Sequence, residues 1–191
     1  MNHYHWLHLA SALWVVFLAY WLFSALRLKS IKQRQPRSER LLQIALMAAA
    51  YILMFNDQVG RGWLATRFVP SSPAIGKLGA AVTFAGIAFA IWARWHLGEN
   101  WSSTVTLKED HELISSGPYR YIRHPIYTGM LMAFVGTALA LGEYRAVISI
   151  VVVLVAFYIK ARKEELFLIQ EFGEKFHEHS RRTGMFLPKF T

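Results

Sequence analysis

Apolar residues along this chain fall in five blocks parted by short polar stretches, and within each block they run almost continuously. A helix that is apolar all round has no face to present to water, so it belongs in a large core or in lipid. Crossing about 30 Å of hydrocarbon takes about 20 helical residues. The first block, residues 6–26, carries no charged residue and is long enough by itself. The runs at 41–55 and 78–92 are shorter and borrow flanking residues, giving spans near 41–58 and 75–94. The last two, 126–142 and 146–162, are parted only by Glu143, Tyr144 and Arg145. So short a connection predicts an antiparallel helical hairpin. The spacing of Gly129, Ala133 and Gly136 permits close helix packing within the monomer. The pattern predicts an all-α, polytopic membrane protein forming one domain over residues 1–191, with five transmembrane helices.

Composition supports this reading. Hydrophobic residues make up 54% and charged residues 17%, against about a quarter charged in soluble domains. No Lys or Arg precedes the first block and no small-residue cleavage site comes after it, so it reads as a retained helix and not a signal peptide. The absence of Cys removes disulfides, thiolate metal sites and cysteine nucleophiles.

The 21 Lys and Arg outnumber 12 Asp and Glu, for a formal charge of +9. A nucleic-acid partner would require these on one solvated surface. They lie instead between apolar blocks, so the expected partner is the lipid bilayer and not nucleic acid. Cytoplasmic loops carry the excess of Lys and Arg. Six basic residues fall in 27–40, four in 94–123 and seven from Lys160 onward, against four (Arg61, Arg67, Lys77 and Arg145) on the other side. The N-terminus is therefore expected outside and the C-terminus in the cytoplasm, in a cell inner membrane.

Two segments expected outside the spans, 95–125 and 160–191, fall on the cytoplasmic side. They hold most of the residues able to do chemistry: His96, Glu99, His111, Tyr119, Arg123, His124, Glu164, Glu165, His177 and His179. A site built from both would touch cytosolic water and the bilayer together, which suits an enzyme joining a soluble reagent to a lipophilic one.

The densest motif is Gly117-Pro118-Tyr119-Arg120-Tyr121-Ile122-Arg123-His124-Pro125-Ile126-Tyr127-Thr128-Gly129. Gly-Pro marks a turn, and Pro125 suits the first turn of the next helix, where its missing N–H costs nothing. Arg123, His124 and Tyr127 then stand at a helix N-terminus near the membrane surface, where backbone donors favour an anionic group such as a carboxylate. The alternative is that Arg123 snorkels to lipid phosphate and the tyrosines form an aromatic belt. Glu164-Glu165, beyond the fifth block, reads either as a solvated pair facing Arg162 and Lys163 or as a partner for a cationic ligand. His177-Glu178-His179 and His3-Tyr4-His5 lack a further ligand set, so no metal site is expected.

Taken in order, several stretches resemble the isoprenylcysteine carboxyl methyltransferase and phospholipid methyltransferase family of integral membrane methyltransferases. They are Gly98-Glu99-Asn100-Trp101, Leu107-Lys108-Glu109-Asp110-His111-Glu112-Leu113-Ile114, Gly117-Pro118-Tyr119, Arg123-His124-Pro125-Ile126-Tyr127-Thr128-Gly129, Glu164-Glu165-Leu166 and Glu171-Phe172-Gly173. The resemblance covers roughly the C-terminal half and points to a compact prokaryotic-type homologue. It implies S-adenosylmethionine as methyl donor, released as S-adenosylhomocysteine, in a cytoplasmic pocket made by the loop before the fourth helix and the C-terminal segment. By matching position, Lys108, His111, Leu113, Tyr119, His124, Pro125, Tyr127 and Glu164 would line the cofactor. Arg123 would orient a substrate carboxylate, with Glu165 its polar partner. The implied acceptor is a lipophilic small molecule or prenylated group, methylated on its carboxylate. Methylation of a phospholipid amine is the alternative within the family, and a non-catalytic transporter or scaffold the alternative outside it.

Overall fold

A computed structural model describes residues 3–24, 31–34, 36–98, 106–108 and 113–189, with only the backbone described at 3–4, 31–34 and 106–108. Five long helices run α1 (His3–Ser24), α2 (Arg37–Phe55), α3 (Pro73–Leu97), α4 (Pro125–Leu141) and α5 (Tyr144–Phe172), and a short α6 (Glu174–Arg182) comes last. The chain reverses direction at each connection, so the ends of α1, α3 and α5 gather with the starts of α2 and α4. We call this the site end and the opposite one the hairpin end.

Four helices are long and apolar enough to cross a bilayer, and α4 is shorter at 17 residues. The protein is therefore an integral membrane protein. As the short apolar runs required, α2 begins at Arg37 and α3 extends to Leu97, each taking polar flanks into its ends. The hairpin turns through Gly142 and Glu143 alone. The helix after it outruns its apolar block: α5 continues through Glu164 and Glu165 to Phe172 without a break. The large apolar side chains of α1 and α2, such as Val15, Leu22, Leu41 and Ile52, stay exposed and face lipid. Exposed Trp63 and Tyr144 at the hairpin end, and Trp95 and Tyr121 at the site end, mark two interfaces.

Antiparallel α3 and α4 form the centre. A Cβ on Gly86 would lie 2.5 Å from the Ala133 amide and 2.6 Å from the Gly129 carbonyl, and one on Gly79 would lie 2.6 Å from both Ala140 N and Gly136 O. Glycines seven apart on each helix thus bring the two backbones into contact, which is how helices adhere where lipid removes the hydrophobic drive. Gly129 and Gly136, whose spacing permits close packing, achieve it against Gly86 and Gly79. Thr83 and Thr137 hydroxyls meet at 3.2 Å in the same seam, and Trp14 of α1 donates its indole N–H to Thr137 at 2.9 Å.

α2 is held to α5 at three heights. Lys163 pairs with Glu39 at 2.8 Å at the site end, Ser149 donates to the Ala50 carbonyl at 2.7 Å, and Arg145 donates to Asn56 O at 2.8 Å and Asp57 at 3.0 Å at the hairpin end. A short ribbon departs from the all-helical expectation. β1 (Ile31–Arg34) pairs antiparallel with β2 (Thr106–Lys108), and β2 rests against α5. This ribbon joins the α1–α2 and α3–α4 connections at the site end.

Candidate functional site

The depth of the site is set by helix length. At 1.5 Å per residue, Glu164 stands about 30 Å along α5 from Tyr144, and His124 about 27 Å along α4 from Gly142. Both therefore stand about one hydrocarbon thickness from the hairpin turn, and at that height they meet.

The local sequence explains why. Gly117 takes φ +55°, and a Cβ there would lie 2.7 Å from the His96 ring. It opens a 3-10 turn over Gly117–Arg120 that buries Tyr119, whose hydroxyl donates to Ala93 O at 3.4 Å. The chain then enters α4 with His124 as N-cap and Pro125 at the first helical position. Residues beyond α6 close this entrance. The amides of Arg123 and His124 donate to Gly184 O at 2.9 Å and Met185 O at 3.1 Å, and Thr128 Oγ1 donates to Phe186 O at 2.7 Å. These two amides are thus taken by the tail and do not serve an anionic ligand.

Buried His124 is the hub. Its Nδ1 lies 3.4 Å from Glu164 Oε2 and its Nε2 lies 3.2 Å from Glu165 Oε1. Adjacent helical residues point about 100° apart, yet an imidazole carries nitrogens on two sides, so one ring engages both carboxylates. Only the imidazolium can donate from both nitrogens. Burial by itself pushes the His124 pKa down; the hydrogen bonds and charges of Glu164 and Glu165 outweigh it and hold the pKa above the ordinary histidine value.

Around this hub, the Tyr127 hydroxyl donates to Glu164 Oε1 at 2.6 Å, and Arg123 Nε donates to Glu165 Oε1 at 2.7 Å. Arg123 Nη1 also donates to the carbonyls of Ser180, at 3.2 Å, and of Thr183. The His124 and Tyr127 rings stack at 5.5 Å and 6°, Tyr127 stacks on Phe157 at 4.7 Å and 13°, and Phe186 meets His124 edge-on at 6.2 Å. The Tyr119 phenol is pushed far up by burial and then by the charge of Glu164, so it stays neutral.

The structure thus brings together Arg123, His124, Tyr127, Glu164 and Glu165, with Pro125 setting the helix start and Tyr119 beside them. Leu113 begins the segment leading to the 3-10 turn. Lys108 ends β2, its side chain lying outside the described residues, as does all of His111. Two contributors were not legible as site residues. Lys160 sits one turn toward the hairpin end from Glu164, with Nζ 5.5 Å from the Tyr127 ring centroid; the i, i+4 spacing to Glu164 was the signal for it. The tail at 183–186 contributes mainly backbone carbonyls, which leave no mark in sequence. An open groove lined by Tyr51, Ile52, Phe55, Asn56, Asp57 and Gln58 lies at the hairpin end and shares no residue with the cluster.

A helical membrane bundle with paired carboxylates, an imidazole and stacked aromatic rings at one interface defines a class of membrane protein with a polar interfacial site. The chain belongs to the phospholipid methyltransferase family, whose sequence profile matches residues 75–175, spanning both the motif and the glutamates. Protein-S-isoprenylcysteine O-methyltransferase of Schizosaccharomyces pombe is 30% identical over 94 residues, 48% of this chain and 40% of that protein. Cobalt-zinc-cadmium resistance protein CzcN of Cupriavidus metallidurans is 30% identical over 131 residues, 68% of this chain and 55% of that one. The solved structure of a eukaryotic intramembrane Ras methyltransferase, isoprenylcysteine carboxyl methyltransferase, shares the fold with a TM-score of 0.54 over 81% of this chain and 54% of that chain, at 20% identity. The chain spans about half or less of the length of each.

Proposed function

We propose that this protein transfers a methyl group from S-adenosylmethionine to the carboxylate of a lipophilic acceptor of the isoprenylcysteine type, at the cytoplasmic face of a cell inner membrane. The observation that carries the reading is the cluster of His124, Tyr127, Glu164 and Glu165 at the site end of the bundle, about one hydrocarbon thickness from the hairpin turn. Family membership and the isoprenylcysteine methyltransferase relatives support it.

The donor set fits a cationic cofactor. A carboxylate offers about four acceptor positions, and Glu164 uses one oxygen for Tyr127 and the other for His124, leaving capacity for an ammonium group. An aromatic face attracts a cation such as a sulfonium; Tyr127 is stacked on both sides by His124 and Phe157 and His124 is itself cationic, so Tyr119 is the ring we assign to that contact. Lys108, His111 and Leu113 would complete the lining from the preceding loop, and Pro125 holds the wall in place. When bound, the cofactor supplies a methyl already activated by its sulfonium.

The chain's own work is alignment and exclusion of water. A carboxylate acceptor is ionised near neutral pH, so no side chain has to take a proton. Arg123 gives its donors to Glu165 and to two tail carbonyls, and we read it as positioning both. Lys160, on the membrane side of Glu164, is the cation we assign to meet the acceptor carboxylate. The His124–Glu164–Glu165 arrangement holds α4 against α5 and keeps the Tyr127 ring in place.

The excess of basic residues in the site-end segments supports an outside N-terminus and a cytoplasmic C-terminus; a reporter fused after Thr191 should be cytoplasmic. The activity is tested by incubating purified protein in nanodiscs with methyl-labelled S-adenosylmethionine and an N-acetylated farnesylcysteine. A base-labile methyl ester is expected. Label appearing instead on ethanolamine headgroups would replace the carboxylate reading with the amine one, and no transfer to either would refute the methyltransferase reading.

A further inference from the structure

The geometry points to Arg94 as a positioning residue: one guanidinium fastens together the ends of α1 and α3, from which the two segments that meet as the β1–β2 ribbon depart, and so sets where the ribbon stands beside the site. The inference is independent of the proposed activity except in its ligand readout.

Arg94 lies in the last turn of α3 and is 4% exposed. A guanidinium so buried is costly unless its donors are met. Its Nη1 donates to Gly98 O, the C-cap of α3, at 2.9 Å, and its Nη2 donates to Ser24 O, the last residue of α1, at 3.0 Å. Carbonyls at a helix C-terminus lack intrahelical partners and carry the negative end of the macrodipole. Two such ends converge here on one planar cation, a geometry an ammonium cannot reproduce because it is a point charge without a fork.

Each of these two carbonyls stands at the root of one ribbon strand. β1 begins seven residues after Ser24 and β2 eight residues after Gly98, and they pair in the register Ile31 with Lys108, Gln33 with Leu107 and Arg34 with Thr106. β2 rests on α5, the helix that carries Lys160, Glu164 and Glu165. The residue before Arg94, Ala93, takes the Tyr119 hydroxyl on its carbonyl. The same turn of α3 therefore fixes the ribbon's roots and one wall of the site.

The test uses the lack of native cysteine. The double substitution Gln33→Cys and Leu107→Cys places thiols at paired positions across the ribbon, and oxidation of the full chain in nanodiscs is monitored by loss of maleimide labelling. Arg94→Gln is expected to slow cross-linking about fivefold or more. Arg94→Lys, which keeps the charge and reaches one carbonyl, should fall between them and serves as the deciding variant if the glutamine form does not fold. Cross-linking of the variants at the parent rate would overturn the inference. In calorimetry with S-adenosylhomocysteine, Arg94→Gln should weaken binding about tenfold, and the closed disulfide should bring it back to within about twofold of the parent. A lock that restores nothing would show Arg94 acting on overall stability and not on position. If the parent itself binds no S-adenosylhomocysteine, the proposed function fails while the cross-linking rates still decide on Arg94.

Discussion

Replacing His124 with glutamine changes the cluster's charge while keeping a side chain that can donate. The glutamine amide can face one carboxylate, but it cannot place donors on both Glu164 and Glu165, and it carries no charge. A hydrogen bond to a charged group contributes about 1.5–3 kcal/mol, and losing one at this site should lower the melting midpoint by about 3–12 °C for a protein of this size. The pH dependence is the sharper part. The native pKa of His124 is held above its ordinary value by Glu164 and Glu165 against the opposing effect of burial. The stabilisation is then complete below the unfolded value of about 6.5 and is lost as pH rises through the native value. The gap between parent and His124→Gln should accordingly be widest near pH 6 and narrow at alkaline pH. His179, whose pKa burial and Arg123 push down, titrates in both proteins and cancels in the difference. Tryptophan fluorescence during heating in detergent, between pH 5.5 and 9.5, measures the gap. A gap that stays constant or widens with pH would refute the imidazolium bridge.

Three other substitutions, and one control, probe particular contacts. Tyr127→Phe keeps the ring stack and removes only the 2.6 Å bond to Glu164; the melting midpoint should fall by about 3–12 °C, as for one hydrogen bond to a charged group, and calorimetry should show S-adenosylhomocysteine binding weakened by about tenfold. Lys160→Ala should raise the KM for the prenylated carboxylate while leaving S-adenosylhomocysteine affinity within about twofold; equal loss of both would remove its assigned role. Gly86→Leu drives a side chain into the Gly129 and Ala133 backbone, so the folded, monodisperse fraction on size exclusion should collapse, whereas Gly62→Ala, in open space though at positive φ, should leave a folded protein.

Much of the helical frame was legible because lipid imposes its demand on every residue of a span: uninterrupted apolar blocks could only be helices, and a two-residue hairpin could only be antiparallel. The start of α4 was legible too, since Gly117, Pro118 and Pro125 act through their own backbones. The glutamate pair was legible as a candidate but not as an arrangement. Helical geometry separates Glu164 from Glu165, and only the two-sided imidazole shows how both serve. The partner of the Gly129 and Gly136 seam was obscured because Gly79 and Gly86 sit seven apart in an apolar run with many other small residues. The ribbon had no period to betray it, with Ile31, Lys32, Gln33 and Arg34 reading as a charged loop. Arg94 read as a loop cation counted for topology, and its burial between two helix ends depends on α1 and α3 finishing side by side. The tail contacts run through the carbonyls of Thr183, Gly184, Met185 and Phe186, which any residue supplies.

The central claim is that the cluster around His124 binds a cationic methyl donor. It is tested most directly by calorimetric titration of S-adenosylmethionine into the protein in nanodiscs, with Glu164→Gln alongside. Saturable binding at one site per chain, weakened about tenfold or more by the substitution, is the predicted result. No binding to the well-folded parent, or equal binding to both proteins, would contradict the account.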